Sequence, residues 1–149
     1  MPVSAHDVAK VILSLRSPVT PMKLQKLLYY CQAWSLVWEE EALFRERIEA
    51  WAFGPVVPEI FSVHKGEVSV ASWPNGDPKH LSKPQKETVD AVMRFYGDKS
   101  GQWLSDLTHS EAPWKDARHG YGRFERSSQE ISLAAMQEYY SSLPPNGEE

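Results

Sequence analysis

The chain has a single cysteine, Cys31, in 149 residues. That count excludes an internal disulfide and any zinc site built from several thiolates. Long apolar runs are also missing, and nothing approaches the roughly 20 residues that a membrane-spanning helix needs. Residues 1–7 lack the basic-then-apolar order of a secretory signal, so the cytoplasm is the expected compartment. Positive charge is scarce: 16 Lys and Arg stand against 20 Asp and Glu, a formal net charge of −4. Binding along a phosphate backbone rewards clustered Lys and Arg, so nucleic acid is not expected to be the main partner. Signatures of catalysis are absent from the sequence as well: no Gly-x-Ser-x-Gly elbow, no phosphate-cradling glycine loop and no His-Glu-x-x-His pair.

Aromatic residues are plentiful. Six Trp, six Tyr and five Phe are a heavy load for one ordinary domain, and some must reach the surface. The clearest local pattern is helical. Ser4 with Asp7 caps a first helix carrying Val8, Val11, Ile12 and Leu15, which Ser17-Pro18 stops. Thr20 caps a second, with Pro21 at its first position, and Leu24, Leu27, Leu28, Cys31, Trp34 and Trp38 form its apolar stripe. Ile48, Ala50 and Ala52 alternate with Glu49, Trp51 and Phe53, the period of a short strand. Gly54-Pro55 is expected to end that strand and open a short helix running to about Gly66. Val68 and Val70 hint at another short strand before a turn at residues 73–78. Capping boxes at Ser82/Gln85 and Ser127/Glu130 start two later helices, and a brief one follows Ser100, carrying Trp103, Leu104 and Leu107. The last helix should pack Leu133, Met136 and Tyr140 inward. The expected fold is mainly α with a small β component (α+β): a single compact domain over residues 1–143, with a flexible tail at 144–149.

Candidates for chemistry are few. Cys31 sits inside an apolar stripe, the setting of an inert buried thiol. His109 and Glu111 are the best acid–base or metal pair, with His119 or Glu49 as conceivable additions. A zinc site needs at least three protein ligands, so no metal or cofactor is expected, and the two side chains should instead tie down a turn by bonding to the backbone. The first two helices have the outline of a DNA-reading pair, but only Lys23, Gln25, Lys26 and Gln32 remain on the second to meet phosphate. Two rigid, aromatic segments remain: Glu49-Ala50-Trp51-Ala52-Phe53-Gly54-Pro55-Val56-Val57-Pro58 and the stretch 107–114, with His109, Glu111 and Trp114. Aromatics beside polar groups on a stiff backbone favour interface hot spots. The alternative is that both segments are structural corners packed against each other, and composition leaves the two readings open.

Thr20-Pro21-Met22-Lys23-Leu24-Gln25-Lys26-Leu27-Leu28-Tyr29-Tyr30 through Trp34 resembles the opening motif of the Panacea domain, the family of phage-associated GepA-like and SocA-like proteins. The likeness continues through Ala42-Leu43-Phe44 (the family has Pro-Leu-Phe), Ile48-Glu49-Ala50-Trp51, Phe53-Gly54-Pro55-Val56-Val57-Pro58 and Thr108-His109-Ser110-Glu111-Ala112-Pro113-Trp114, covering about residues 4–118. Residues 67–80 and those after Gly120 depart from it, and are candidates for adaptation to a particular partner. The resemblance implies a Panacea-type helical domain acting as an antitoxin: a non-enzymatic protein that binds and neutralises a cognate protein toxin, typically encoded by an adjacent gene. Some relatives act instead as proteolytic adaptors that hand the toxin to a ClpXP-type protease. An acidic antitoxin suits a basic partner. An enzyme using His109 and Glu111 is the remaining alternative. Within the partner-binding reading, the contact residues are Trp51, Phe53, Gly54, Pro55, Val56, His109, Glu111 and Trp114.

Overall fold

One helix, buried on nearly every side, organises the architecture. The computed structural model describes residues 3–144, so the expected tail beyond Pro144 lies outside the described residues. In chain order the elements are α1 (Ala5–Leu15), α2 (Pro21–Trp38), β1 (Glu49–Trp51), β2 (Gly54–Val56), α3 (Pro58–His64), α4 (Lys83–Tyr96), α5 (Gly101–His109), α6 (Ala112–Ala117) and α7 (Leu133–Ser141). The fold is mainly helical with a small β component, as expected from the sequence, and that component is one antiparallel hairpin. α2 packs against α1, α3, α4, α5, α7 and β2. Residues 24–33 are buried without a break, so the buried surface is wider than the expected apolar stripe over Leu24, Leu27, Leu28 and Cys31, while the stripe's last member, Trp38, lies outside it. Leu24, Leu27 and Leu28 are fully covered, each worth about 2 kcal/mol of burial.

Local chemistry starts the helices. Ser4, Thr20, Ser82, Ser100 and Ser132 each accept a backbone N–H three residues on, satisfying a donor that the first turn leaves unpaired. The boundaries differ from expectation in three places. Gly54-Pro55 does not open a helix: Gly54–Val56 is a second strand in register with the first, Glu49 opposite Val56 and Trp51 opposite Gly54, and α3 begins only at Pro58. Ser127 and Glu130 do not cap the last helix, because residues 129–131 run extended beside β1. Ala50 N–H donates to Gln129 O and Ile131 N–H to Ile48 O, both at 2.8 Å. Residues 108–114, expected as a turn, are instead the end of one helix and the start of another, meeting at Ser110-Glu111.

Several stripe positions face outward: Leu15, Trp38, Trp103 and Leu133 are 44–50% exposed. Val68 is exposed, and Val70 makes only a single bridge to Val19. Residues 73–80 pack onto the start of α1 instead of projecting. Trp73 Nε1–H donates to His6 Nδ1 (3.0 Å), Asp77 N–H donates to Asp7 (2.7 Å), and His80 Nδ1 lies 3.1 Å from the same carboxylate. That contact requires Gly76. Its φ of +94° is costly for other residues, and an added Cβ would stand 2.6 Å from the His6 backbone carbon. Gly76→Ala should therefore destabilise the fold by about 2–4 kcal/mol, the sum of backbone strain and a clash with main chain. A denaturant midpoint unchanged from the parent would contradict this docking.

Candidate partner-binding site

The hairpin has backbone groups that neither strand can satisfy. Ala50 stands opposite Pro55, a residue with no N–H, and at this position the polar groups of both point away from the ladder. On one edge, Ala50 N–H reaches Gln129 O, while Ala50 C=O accepts from Arg118 Nη1 at 2.9 Å. On the other edge, Pro55 C=O accepts from Lys26 Nζ at 3.1 Å. Gln25, next to Lys26 on α2, takes a backbone group two residues further on: Val57 N–H donates to its Oε1 at 2.8 Å. That bond fixes the amide orientation, so Nε2–H faces His64 Nε2 at 2.9 Å and the His64 proton sits on Nδ1. Gln32 does the same for another loop, accepting from Leu43 and Phe44 N–H and donating to Phe44 O. Most of the expected polar face of α2 is thus not a surface. Gln25, Lys26 and Gln32 are at most 2% exposed, which leaves Lys23 alone of the phosphate-facing set of the DNA reading.

The two aromatic segments pack against each other. Trp114 Nε1–H donates to Trp51 O (2.8 Å), and Ser105 Oγ–H donates to Phe53 O (2.7 Å). Of the eight expected contact residues, Gly54, Pro55, Val56, Glu111 and Trp114 are buried. Trp51 is half-buried, with its ring edge on Phe61 and Nε1–H donating to Glu49. His109 is half-buried and stacked on Trp114, the ring centroids 4.1 Å apart. Phe53 alone stands clear, 60% exposed at the tip, and its ring lies 6.1 Å from Phe124, itself 65% exposed. Phe124, Tyr121 and the bracing Arg118 escaped the sequence reading because residues 118–128 carry no periodic pattern.

His109 and Glu111 do not form a pair. Glu111 points inward, where its Oε1 accepts from Tyr30 OH and Tyr140 OH, both at 2.7 Å. Tyr140 has one proton and gives it to Glu111, so the Tyr29 hydroxyl, 3.0 Å away, donates to Tyr140. This chain of side chains joins α2, α7 and the α5–α6 joint. The expected bonds from the pair to the turn backbone are replaced by tyrosine contacts for Glu111 and by ring stacking for His109. Burial raises the Glu111 pKa, and the two tyrosine hydroxyls oppose that rise. Burial lowers the His109 pKa, with the charges of Lys26, Arg123 and Arg118 adding to it. The Cys31 thiol is fully buried and its pKa is pushed up by that burial, an unreactive setting.

Lys26 is fully buried, and loss of hydration pushes its pKa down from 10.5 to about 7. A single carbonyl bond, worth on the order of 1 kcal/mol, cannot offset the several kcal/mol needed to bury an ammonium. Gly54 makes room for this side chain: an added Cβ would lie 2.4 Å from Lys26 Cε, and its φ is +117°. Between pH 7 and 10.5 the unfolded chain holds a proton on Lys26 that the folded chain has released, so raising the pH through that window favours folding. The thermal midpoint should therefore rise from pH 7 to pH 9, and Lys26→Met should flatten the rise. A midpoint already flat in the parent would contradict the burial. In the tyrosine network, Glu111→Ala strands two buried hydroxyls and should cost about 2–4 kcal/mol. Glu111→Gln keeps an acceptor and should cost much less; equal losses in urea unfolding would show that the hydroxyls do not depend on it.

Residues 24–115, from α2 into α6, match the family model described as Antitoxin SocA-like, Panacea domain. The matched stretch begins four residues after the Thr20 cap and includes the hairpin, Lys26, His109, Glu111 and Trp114. The chain is also similar to Antitoxin SocA of Caulobacter vibrioides (strain NA1000 / CB15N), 28% identical over 143 aligned positions that cover 80% of this chain and 73% of the relative. No solved structure matches it. With a buried helix, a braced hairpin and the Thr-His-x-x-x-Pro-Trp joint all inside or spanned by these matches, the chain belongs to the SocA-like antitoxin family of Panacea-domain proteins.

Proposed function

We propose that this chain is the cytoplasmic antitoxin of a toxin–antitoxin pair, and that it neutralises a cognate protein toxin by direct contact at the hairpin tip without catalysing a reaction. The observation that carries the contact surface is Phe53, an aromatic ring 60% exposed on a turn whose Trp51 and Phe53 carbonyls are held by Trp114 and Ser105. A large ring fixed in water loses little freedom on docking and gains its full burial, the profile of an interface anchor. Family membership supports the antitoxin role. Trp51 and His109 flank the tip as secondary contacts, while Gly54, Pro55, Val56, Glu111 and Trp114 serve as its buried support.

The partner is expected from the adjacent gene. Cells making that gene product alone should stop growing, and co-expression of this chain should restore growth. Phe53→Ala should weaken the purified complex by roughly 30-fold, a loss of about 2 kcal/mol, with an unchanged helical circular dichroism spectrum. Growth arrest that persists under co-expression would reject the antitoxin role. Intact affinity in Phe53→Ala would move the contact elsewhere. A toxin half-life shortened by this chain would make it an adaptor for a ClpXP-type protease instead of a blocker.

A further inference from the structure

The net charge of −4 predicts a basic partner, but the surface beside the hairpin tip departs from that average. Two hollows adjoin there and share Tyr121. One, about 590 Å³, is lined by Trp51, Phe53, Tyr121, Arg126 and two serines among others. The other, about 350 Å³, is lined by His109, Trp114, Lys115, Arg118, Tyr121 and Arg123, with Gly122 between. Together they carry four cationic side chains and no carboxylate. Two nearby carboxylates border the hollows without lining them and are bonded to lining residues: Glu125 Oε1 accepts from Gly122 N–H at 2.8 Å and Glu49 Oε1 from Trp51 Nε1–H at 2.9 Å. Asp116 lines a separate hollow against α7.

The cations differ in what they have left to give. Arg118 is spent on the carbonyls of Ala50, Gly122, Arg123 and Glu125. Lys115, Arg123 and Arg126 are exposed and have no ion-pair partner among the described residues; Arg123 rests over the Phe124 ring. His109 Nε2, also at the second hollow, is the one buried side-chain polar atom without a hydrogen-bond partner among the described residues.

We infer that these two hollows receive an acidic segment of the partner polypeptide, carboxylates meeting Lys115, Arg123 and Arg126 while an apolar side chain seats between Trp51 and Phe53. This rests on the protein-binding reading above and names the chemistry of the surface that docks. A nucleic acid fits less well. Three uncommitted cations neutralise few phosphates, and a long polyanion meets repulsion from the rest of a chain whose total net charge is −4, whereas a short acidic segment brings only the charges it needs.

The test uses the complex with the adjacent gene product. The Arg123→Glu/Arg126→Glu variant should weaken binding at least about 100-fold, mostly through slower association, and should remove the salt dependence of the parent. Arg123→Gln/Arg126→Gln should fall between, and Phe95→Ala, in the groove between α2, α4 and α7, should bind like the parent. Binding by the charge-reversed variant within twofold of the parent, or tighter, overturns the inference even if Phe53→Ala still weakens the complex. If neither set of variants changes affinity while neutralisation persists, the hairpin-tip surface itself is wrong. A ten-nucleotide oligothymidylate that binds the parent tightly and the reversed variant not at all overturns it in favour of nucleic acid.

Discussion

The carbonyls of Ala50 and Pro55 face away from each other on opposite edges of the hairpin, and each is met by a buried basic side chain. Six residues of antiparallel strand have little stability of their own. What holds them is that Arg118 and Lys26 supply the donors the ladder lacks, while residues 129–131 cover the outer edge of β1. Burying Lys26 costs the fold, and at neutral pH the side chain lies close to its own titration point. The return is positional: the tip of the turn, with Phe53, is fixed relative to α2 and α5.

The same logic governs the rest of the interior. α2 places Gln25, Lys26 and Gln32 where a solvated face would be expected, and each bonds backbone groups that no ladder partner satisfies, at Val57, Pro55 and Leu43. Tyr29, Tyr30, Tyr140 and Glu111 extend this scheme through hydroxyls. Burial is the largest cause of the raised pKa values of all four groups.

Features set by a few neighbouring residues could be read from the chain itself. Ser4, Thr20, Ser82 and Ser100 cap the helices they were expected to cap, because capping needs only a side-chain oxygen and an N–H three residues on. Ser127-x-x-Glu130 offers an equally good box, yet pairing with β1, some 80 residues away, takes that segment and leaves the cap to Ser132. Pro55 read as a helix opener because its tolerance in a strand depends on facing outward, which only the register reveals. Lys26 read as solvent-facing because the carbonyl it serves lies 29 residues later. Of the eight expected contact residues, Phe53 is the one that stands clear of the surface; the others were recognisable as special without its being visible that most of them face inward.

A rigid tip offered to a partner makes a local claim about where binding occurs. Hydrogen–deuterium exchange of the chain, alone and with the adjacent gene product, tests it directly. The account predicts new protection at residues 51–54 and 121–128, with the amides of α2 already slow and unchanged. Protection confined to the groove between α2, α4 and α7, with the hairpin exchanging as before, would contradict it.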